Sequence, residues 1–252
     1  KNLSQSPIFT ADLDISNFAF KKDTLGDIKI QIDNAVSNTL NTAVAITGQG
    51  NQVELTGAYK IDSGNLNFDL LIGKLNLKSI QGFTLGNLKE STGYFDGNFK
   101  ITGNSNEPKV KGDLQFNEIG FKVSTLNATF QSMNDKISFA NDEIRLNQFT
   151  IKDEKNNDLV VDGSISSKNL TNPGFDLTVV ADNFQALNSK EKDNDLFYGE
   201  MYLDNKLAIK GDLNNPVVEV NIKVNKDTKF TIVMPQSDPS IADREGIVEF
   251  ID

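Results

Sequence analysis

The chain has 252 residues with 35 acidic and 25 basic side chains, a formal net charge of −10, and no histidine, cysteine or tryptophan. This composition excludes disulfides, thiolate chemistry and the common His/Cys metal sites. The acidic balance argues against nucleic acid as a partner and against adhesion to anionic lipid headgroups. Hydrophobic residues make up 38% of the chain, below the ~45–50% typical of globular domains. The longest apolar run, Ala43–Ile46, is far shorter than the ~18 residues of a membrane span.

Alternation of apolar and polar residues predicts strands from the start of the chain. Between Ile8 and Ile32 the pattern predicts three strands, with the segment 21–27 (KKDTLGD) as the second turn. Three more strands follow between Val44 and Ile72, separated by glycine- and asparagine-containing turns at 48–50 and 62–65. We therefore expect six short strands in this part of the chain.

The period changes to three or four residues between Leu75 and Leu88. This spacing predicts one short amphipathic helix, despite two glycines within it. The alternative is a loop with scattered apolar residues.

Strand-like alternation then resumes and continues almost to the end of the chain, for a total of about sixteen to nineteen strands. The segment Asn183–Asp195 stands where the first unit has its helix, and the charged run at its end, residues 190–195 (KEKDND), is expected to be a solvated loop. The predicted strands are Tyr94–Ile101, Val110–Phe116, Ile119–Val123, Leu126–Phe130, Ile137–Ala140, Ile144–Ile151, Leu159–Ile165, Phe175–Ala181, Tyr198–Leu203, Leu207–Lys210, Val217–Val224, Lys229–Met234 and Ile247–Ile251.

One stretch occurs twice: FKITGNSNEPKVKGDL (Phe99–Leu114) and LAIKGDLNNPVVEVNI (Leu207–Ile222). Each copy has an alternating strand that ends in glycine, a proline five residues later, and a second strand. Glycine permits a turn with positive φ, and proline at a strand start costs the ladder least. The offset of about 107 residues is kept by VELTG and LVVDG and by two FDL triplets. The repeat predicts two fused units of one continuous sheet, residues 1–120 and 121–252, as a segment of a longer protein.

The sequence offers little for catalysis, because without histidine or cysteine only carboxylate pairs remain. The acidic pairs are Asp12/Asp14, Asp142/Glu143 and Asp153/Glu154. The first pair alternates with Leu13 and Ile15, which places it on the wet face of a strand. The run 153–158 (DEKNND) lacks the glycine and the final glutamate of a helix-loop-helix calcium site, so a turn is expected. We predict no enzyme activity, no metal and no cofactor.

Large apolar side chains concentrate on single strand faces, and three interpretations remain open. The first is a packed sandwich or closed solenoid core. The second is an open groove lined by branched apolar residues and phenylalanine that holds acyl chains. The third is a β-solenoid that binds glycans or adheres to surfaces, although such solenoids usually repeat every ~20–30 residues and display aromatic platforms.

Residues 75–114, LNLKSIQGFTLGNLKESTGYFDGNFKITGNSNEPKVKGDL, resemble the repeating unit of the TamB and AsmA-like proteins. In that unit an amphipathic helix, a glycine-flanked strand, a proline and a glycine-ended strand follow in the same order. The segments DNFQALN, FYGEMYLDNKLAIKGDLNNP and TKFTIVMP (residues 182–235) look like the TamB proteins in particular. The resemblance covers roughly Val53–Ile251.

This resemblance implies an all-β fold: an elongated, curled antiparallel sheet that forms an open apolar groove (a β-taco, or repeating β-groove), with one short amphipathic helix. It implies a place in the periplasm, in a full-length protein anchored in the inner membrane. The implied function is phospholipid transport between the inner and outer membranes, with a role in outer-membrane protein assembly. The implied partners are phospholipid acyl chains and, through the full-length protein, an outer-membrane β-barrel assembly protein. The alternative is a strand-donating assembly scaffold without lipid conduction.

The apolar positions of the alternating strands are the candidate groove-lining, lipid-binding residues. They are Ile30, Ile32, Val44, Ile46, Val53, Leu55, Phe68, Leu70, Phe95, Phe99, Ile101, Val110, Leu114, Phe116, Val161, Ile165, Leu177, Val179, Leu207, Ile209, Val218, Val220, Ile222, Phe230 and Ile232. Because an open sheet leaves its terminal strands unpaired, we also expect free edges at Ile8–Ile15 and Ile247–Ile251.

Overall fold

The computed structural model describes residues 8–132, 134–169 and 171–234. Fifteen strands and one short helical segment account for most of them. The elements are β1 (Thr10–Phe20), β2 (Asp23–Asp33), β3 (Thr39–Gly48), β4 (Asn51–Lys60), β5 (Asn65–Asn76), α1 (Leu77–Ile80) continued by a 3₁₀ turn (Gln81–Thr84), β6 (Leu88–Asn104), β7 (Glu107–Val123), β8 (Ala128–Ser132), β9 (Lys136–Asn141), β10 (Glu143–Lys152), β11 (Asp158–Ser166), β12 (Gly174–Ser189), β13 (Phe197–Asp212), β14 (Pro216–Val224) and β15 (Lys229–Ile232).

All fifteen strands form one antiparallel sheet, in which strands consecutive along the chain are hydrogen-bonded neighbours except β8 with β9 and β14 with β15. Strands β8 and β9 share one position, because β7 pairs with β8 through its second half and with β9 through its first half. Within the described residues β1 pairs only with β2, and at the other end β14 and β15 both pair with β13. The sheet is therefore open, and the prediction of an all-β fold built on a curled antiparallel sheet is confirmed.

The strands are longer and fewer than the sequence predicted. Two strands, not three, occupy the chain before Asp33, because the break after Ile15 is a bulge with Asn17 at φ 51° and not a turn. The turn itself is only Lys21–Lys22, so five strands precede α1. In the described residues the total is fifteen.

Several predicted pairs of short strands are single long strands. The segments Val110–Phe116 and Ile119–Val123 join in β7, and Tyr198–Leu203 and Leu207–Lys210 join in β13. The breaks in alternation predicted turns at these places. In the structure, β7 stays paired with β6 and β13 with β12 on both sides of the break. The predicted strand Ile247–Ile251 and its edge lie outside the described residues, and the division at residue 120 stays a prediction.

The helix is shorter than predicted, and the strand predicted to end at Ala181 is longer, whereas the charged run 190–195 lies between strands as expected. Helical structure covers only residues 77–84, because Leu85 adopts the left-handed conformation (φ 56°) and ends it. Strand β12 runs on to Ser189. Burial of Phe184 and Leu187 explains the extension, since both contribute side chains to a core that local charge did not reveal.

The glycines of the repeated stretch have the predicted role. Gly103 and Gly211 have φ values of 87° and 88°. A Cβ on Gly103 would lie 2.7 Å from the Glu107 carbonyl oxygen, and one on Gly211 would lie 2.4 Å from that of Asn215. Both positions thus combine a left-handed backbone with a close approach of the returning strand, which explains why the sequence repeats them.

We predict that Gly211→Ala destabilises the protein by roughly 2–4 kcal/mol, because it adds a steric clash to the cost of positive φ. Gly86→Ala is the matched control, since Gly86 has φ 92° with nothing within 4 Å of an added Cβ; it should cost only about 1–2 kcal/mol. Urea unfolding of both variants measures the difference. Equal losses would show that the close approach at Gly211 carries no energy.

Candidate functional site

The register of the strands places one continuous apolar face across the sheet. Residues directly opposite in an antiparallel pair share a face, so the pairing can be followed from strand to strand. One such row is Leu13, Ile30, Val44, Leu55, Leu70, Phe99, Gly112, Phe139, Ile144, Ile165, Phe175, Gly211 and Pro216. The next row is Ile15, Ile28, Ile46, Val53, Ile72, Gly97, Leu114, Ile137, Leu146, Gly163, Leu177, Ile209 and Val218.

All the candidate lining residues fall on this apolar face. Those in the first half share it through the rows above and through the pairs Phe68–Ile101 and Phe95–Phe116. The candidate residues on β14 and β15 lie on the same face as those on β13, because these two strands pair with β13 in register. Their role in binding lipid stays a prediction.

Sequence reasoning missed further members of the same face, among them Phe139, Ile144 and Phe149. The first two alternate with polar residues in short strands and were available to the same rule. Phe149 was hidden because a bulge between Leu146 and Phe149 shifts the phase of β10 by one residue. The signal for that bulge is Gln148, whose φ is 50°.

Phenylalanine rings line the middle of the apolar face. Phe116 packs edge-to-face against both Phe95 and Phe149, with ring centroids 4.9 Å apart in each pair, and Phe99 packs against Phe139 at 5.4 Å. Such contacts add about 0.5–1.5 kcal/mol each beyond area burial. These ring contacts therefore stabilise the middle of the apolar face.

Exposure grows toward both ends of the apolar face. Most of its central residues are half-buried, so no second sheet seals them. On β1, Leu13 is 51% exposed, and on β14 Val218, Val220, Ile222 and Val224 are 51–57% exposed. Branched apolar side chains that exposed are costly in water, which is typical of a surface that receives an apolar partner.

The opposite face is polar and linked by cross-strand hydrogen bonds. Gln31 Nε2 donates to Asp12 Oδ1 at 3.0 Å, and Lys100 Nζ lies 2.9 Å from Asp69 Oδ2. Two depressions of about 360 and 570 Å³ on this face have Glu54 in both linings. Their charged rims do not suit acyl chains, so the apolar face is the better candidate site.

Three β-bulges that share the same hydrogen-bonding pattern bend the sheet. In each, a residue with positive φ donates its N–H to an aspartate on the next strand: Asn17 to Asp27 (2.8 Å), Gln148 to Asp162 (2.9 Å) and Asn183 to Asp204 (2.9 Å). The backbone and side-chain amides of Gln148 lower the pKa of Asp162. Lys223, with Asn225 and the Asn183 N–H, holds the pKa of Asp204 well below its usual range. These aspartates are therefore charged acceptors that fix the bulges, and bulges increase local twist and bending.

The first strand-end cap is α1 with its 3₁₀ turn, which lies over the tip of the β3–β4 hairpin. Asn51, 5% exposed, donates through Nδ2 to the Leu25 carbonyl (2.7 Å) and to Ser79 Oγ (2.9 Å), and its Oδ1 accepts the Asn76 N–H (2.8 Å). Asn51, the first residue of β4, thus links the cap to β2, although β3 lies between β2 and β4. It covers one end of the strands in the first repeat.

The second strand-end cap is the end of β12, which lies over the β10–β11 turn and packs on β8. Phe184 stacks on Phe130 with ring centroids 5.6 Å apart, and the Asn188 N–H donates to the Leu126 carbonyl at 3.0 Å. Phe130 and Phe184 form, with Ala128 and Ala181, the one cluster of buried apolar side chains in the described chain, and Leu126 packs against it. The same end of the sheet is thus covered in both repeats.

Asp153 holds the second cap in place. It is 1% exposed, and its carboxylate accepts the N–H groups of Lys155 (2.8 Å), Asn157 (2.9 Å) and Gln185 (2.8 Å) and the Asn157 amide (2.9 Å). Burial raises the pKa of Asp153, but the hydrogen bonds from Asn157, Gln185 and Lys155 outweigh it, so the pKa lies below its ordinary value. The turn expected at residues 153–158 is therefore a structural anchor. In the described residues no cluster of three or more acidic side chains forms a metal site.

Together, the open sheet, the apolar face and the polar exterior define a β-groove protein. The family model of the TamB C-terminal domain matches residues 45–148 and again 145–252. The chain belongs to the TamB family, a transport and assembly module of the bacterial envelope. No curated protein and no solved structure matches it. In the described part of the chain no helix has the length and apolarity that a membrane crossing requires.

We predict that Asp153→Asn destabilises the protein by roughly 2–4 kcal/mol at pH 7, because an amide cannot accept all four donors of this buried site. The carboxyl pKa is lower in the folded than in the unfolded chain, so its stabilisation is complete above the unfolded pKa of ~3.9 and is lost as pH falls through the folded pKa. Asp153→Asn should therefore flatten the acid limb of stability below pH ~4. Asp12→Asn, on the exposed polar face, is the control and should change stability by less than ~0.5 kcal/mol. Unchanged acid dependence in Asp153→Asn would refute the anchor role.

Proposed function

We propose that the apolar face is a groove that holds phospholipid acyl chains, and that the chain is a segment of a periplasmic bridge for phospholipid transport between the inner and outer membranes. The observation that carries the proposal is the unbroken apolar face across thirteen strands in hydrogen-bonded order. Its ends are open and its apolar side chains are exposed there. A lipid chain can therefore enter, lie along the face and leave.

The dimensions suit several acyl chains. Strands in a sheet lie about 4.8 Å apart, so twelve spacings extend over roughly 58 Å. A bilayer core about 30 Å thick implies chains of about 15 Å per leaflet, which equals about three strand spacings. At ~0.8 kcal/mol per buried CH₂, ten buried methylenes supply roughly 8 kcal/mol. That free energy is enough to keep an acyl chain bound and not dispersed in water. The lining residues are half-exposed, so the acyl chain can still leave the face and be replaced by another.

The lining supports transport without selection among acyl chains. It consists of branched aliphatic residues and phenylalanine, which bind by area and offer no directed hydrogen bond. Discrimination between lipids would therefore act on the headgroup. An acyl-chain groove is consistent with the absence of histidine and cysteine, because it needs no reactive side chain.

A second function, donation of a strand edge to an outer-membrane β-barrel protein or to its assembly machinery, is favoured by β1. This strand pairs only with β2 in the described chain, and Ile8, Phe9 and Leu13 before and within it are 77%, 44% and 51% exposed. A free edge with exposed apolar residues recruits strands. Lipid retention separates the two functions, since edge donation needs no lipid.

We predict that Ile209→Asp abolishes copurified phospholipid and leaves the protein folded with a modestly lower melting temperature. Ile209 lies opposite Leu177 and Val218 on the apolar face. Val218 is 51% exposed, so a carboxylate beside it can keep contact with water. Native mass spectrometry counts the lipid adducts, and Lys210→Asp on the opposite face is the control, which should keep both fold and lipid.

Two outcomes would contradict the proposal. Lipid retained by a folded Ile209→Asp variant would exclude this face as the conduit. Wholesale unfolding would indicate a sealed core, in which an unpaired carboxylate costs several kcal/mol of a total stability of only ~5–15 kcal/mol.

A further inference from the structure

A basic cavity lies beside the first cap, at the strand ends. Its volume is about 610 Å³, and its lining includes Lys22, Lys74, Lys78, Asp23, Ser79 and Ser91. These residues come from the β1–β2 turn, from β2 and β5, from α1 and from β6. The apolar groove does not account for this cavity, because its lining is polar.

Three lysines meet one carboxylate here, in a chain whose net charge is −10. Several lysines elsewhere are paired: Lys100, Lys136 and Lys223 lie 2.9, 3.3 and 2.8 Å from aspartates. Among the described ion pairs, none includes a lysine of the cavity. Lys74 lies over the Tyr94 ring, with Nζ 4.6 Å from its centroid, and that contact leaves its charge unneutralised. The cavity is thus a local positive site on an acidic protein.

Two buried hydroxyls of the lining have unused hydrogen-bonding capacity. Ser91 is 5% exposed, and its Oγ has no partner in the described structure. Ser79 is 6% exposed, and its Oγ accepts from Asn51 Nδ2 at 2.9 Å, which leaves its hydroxyl hydrogen free to donate. A buried polar group without a partner costs about 1–3 kcal/mol, so an unsatisfied hydroxyl indicates a missing partner.

The backbone around these hydroxyls is already fixed. The Ser91 N–H donates to Gln81 Oε1 at 2.9 Å, and Gln81 Nε2 lies 3.5 Å from Asp23 Oδ2. Asn51 fixes Ser79 and Asn76 from the other side. Because these bonds form within the chain itself, the backbone that carries both hydroxyls is held in place before a ligand binds.

We propose that this cavity binds a phosphate group. A phosphate offers several acceptor oxygens and a negative charge, which matches unpaired ammonium groups together with hydroxyl donors. Two sources carry this chemistry: the headgroup of a phospholipid, or a free phosphate ion. The site is separate from the apolar face, so phosphate binding does not depend on the acyl-chain proposal.

The corresponding position in the second repeat is not such a site. Lys155 there donates through Nζ to the Tyr202 hydroxyl at 2.7 Å, and that hydroxyl donates to Glu200 Oε2 at 3.0 Å. The lysine charge is therefore compensated within the protein. At the cap of the first repeat, by contrast, three lysines outside the described ion pairs line one cavity together with the unpartnered Ser91 hydroxyl.

The test is calorimetric titration of the 252-residue chain with inorganic phosphate. The double variant Lys74→Gln/Lys78→Gln should bind phosphate at least about tenfold more weakly, since each charge-assisted bond is worth roughly a factor of ten or more. The control Lys206→Gln/Lys210→Gln removes the same charge from the exposed face of β13 and should leave the affinity within about twofold. Equal weakening in both double variants would overturn the proposal, as would no saturation of the unmodified chain by about 10 mM phosphate.

Ser91→Ala gives a readout that a purely structural role would not produce. Removal of an unpartnered buried hydroxyl should leave the melting temperature unchanged or raise it, while phosphate affinity falls severalfold. A lower melting temperature with unchanged phosphate affinity would assign the hydroxyl to the fold and overturn the proposal.

Dihexanoyl phosphatidylglycerol, titrated below its micelle concentration, distinguishes the two sources. Binding tighter than that of inorganic phosphate, and weakened by Lys74→Gln/Lys78→Gln, supports a phosphate site that takes a lipid headgroup. Binding no tighter than that of inorganic phosphate supports a site for the free ion. Lipid binding that the lysine variant leaves unchanged, with no phosphate binding, would overturn the site. The Ile209→Asp experiment on the groove is scored independently, so either proposal can fail alone.

Discussion

Unbroken antiparallel pairing is the constraint on which the rest of this structure depends. Side chains alternate strictly between the two faces of a strand, so a slip of one residue anywhere would move apolar residues to the wet face. The register holds from Leu13 on β1 to Val218 and Val220 on β14. The apolar face is therefore continuous because the backbone ladder is continuous, and no tertiary core outside the sheet is needed to align it.

The bulges are the controlled exceptions to that constraint. An extra residue bends a strand and increases its twist, but it also shifts the phase of every residue beyond it. At Asn17, Gln148 and Asn183 the extra residue is fixed by an aspartate on the adjacent strand. The charged acceptor holds the bulge at one position, which fixes both the bend and the alternation that follows. The aspartate-fixed bulges thus contribute both to the curl of the sheet and to the continuity of the apolar groove.

The two caps bury backbone polar groups at the strand ends, and these groups need hydrogen-bond partners. Where β3–β4 and β10–β11 end, their neighbours run on and pack over the hairpin tips, and each tip offers one buried polar side chain, Asn51 or Asp153, to satisfy the crossing backbone. Buried polar groups are tolerable only when hydrogen-bonded. The two repeats reach the same arrangement with different elements, a helix in the first and a strand extension in the second.

Much of the fold could be predicted from the sequence, because alternation is local and the turns carry glycine, asparagine and proline. Gly103 and Gly211 could be assigned their turn conformation from the repeat alone. What failed depended on contacts between distant residues. Phe149 was missed because a bulge shifted its phase. The strand β12 was predicted to end at Ala181 because the burial of its last residues comes from β8, more than fifty residues earlier. The basic cavity was not predicted, since its lysines lie on separate elements that only the folded sheet brings together.

The central claim is that one face of this sheet contacts lipid and the other does not. Val179 and Val180 are adjacent and chemically identical, and they occupy opposite faces: Val179 lies opposite Val161 and Leu207, and Val180 opposite Val160 and Lys206. The direct measurement is to place a photo-activated cross-linking amino acid at each position in turn and to determine by mass spectrometry whether phospholipid becomes attached. The account predicts phospholipid adducts at position 179 and none at 180. Adducts at 180, or at neither position, would contradict it.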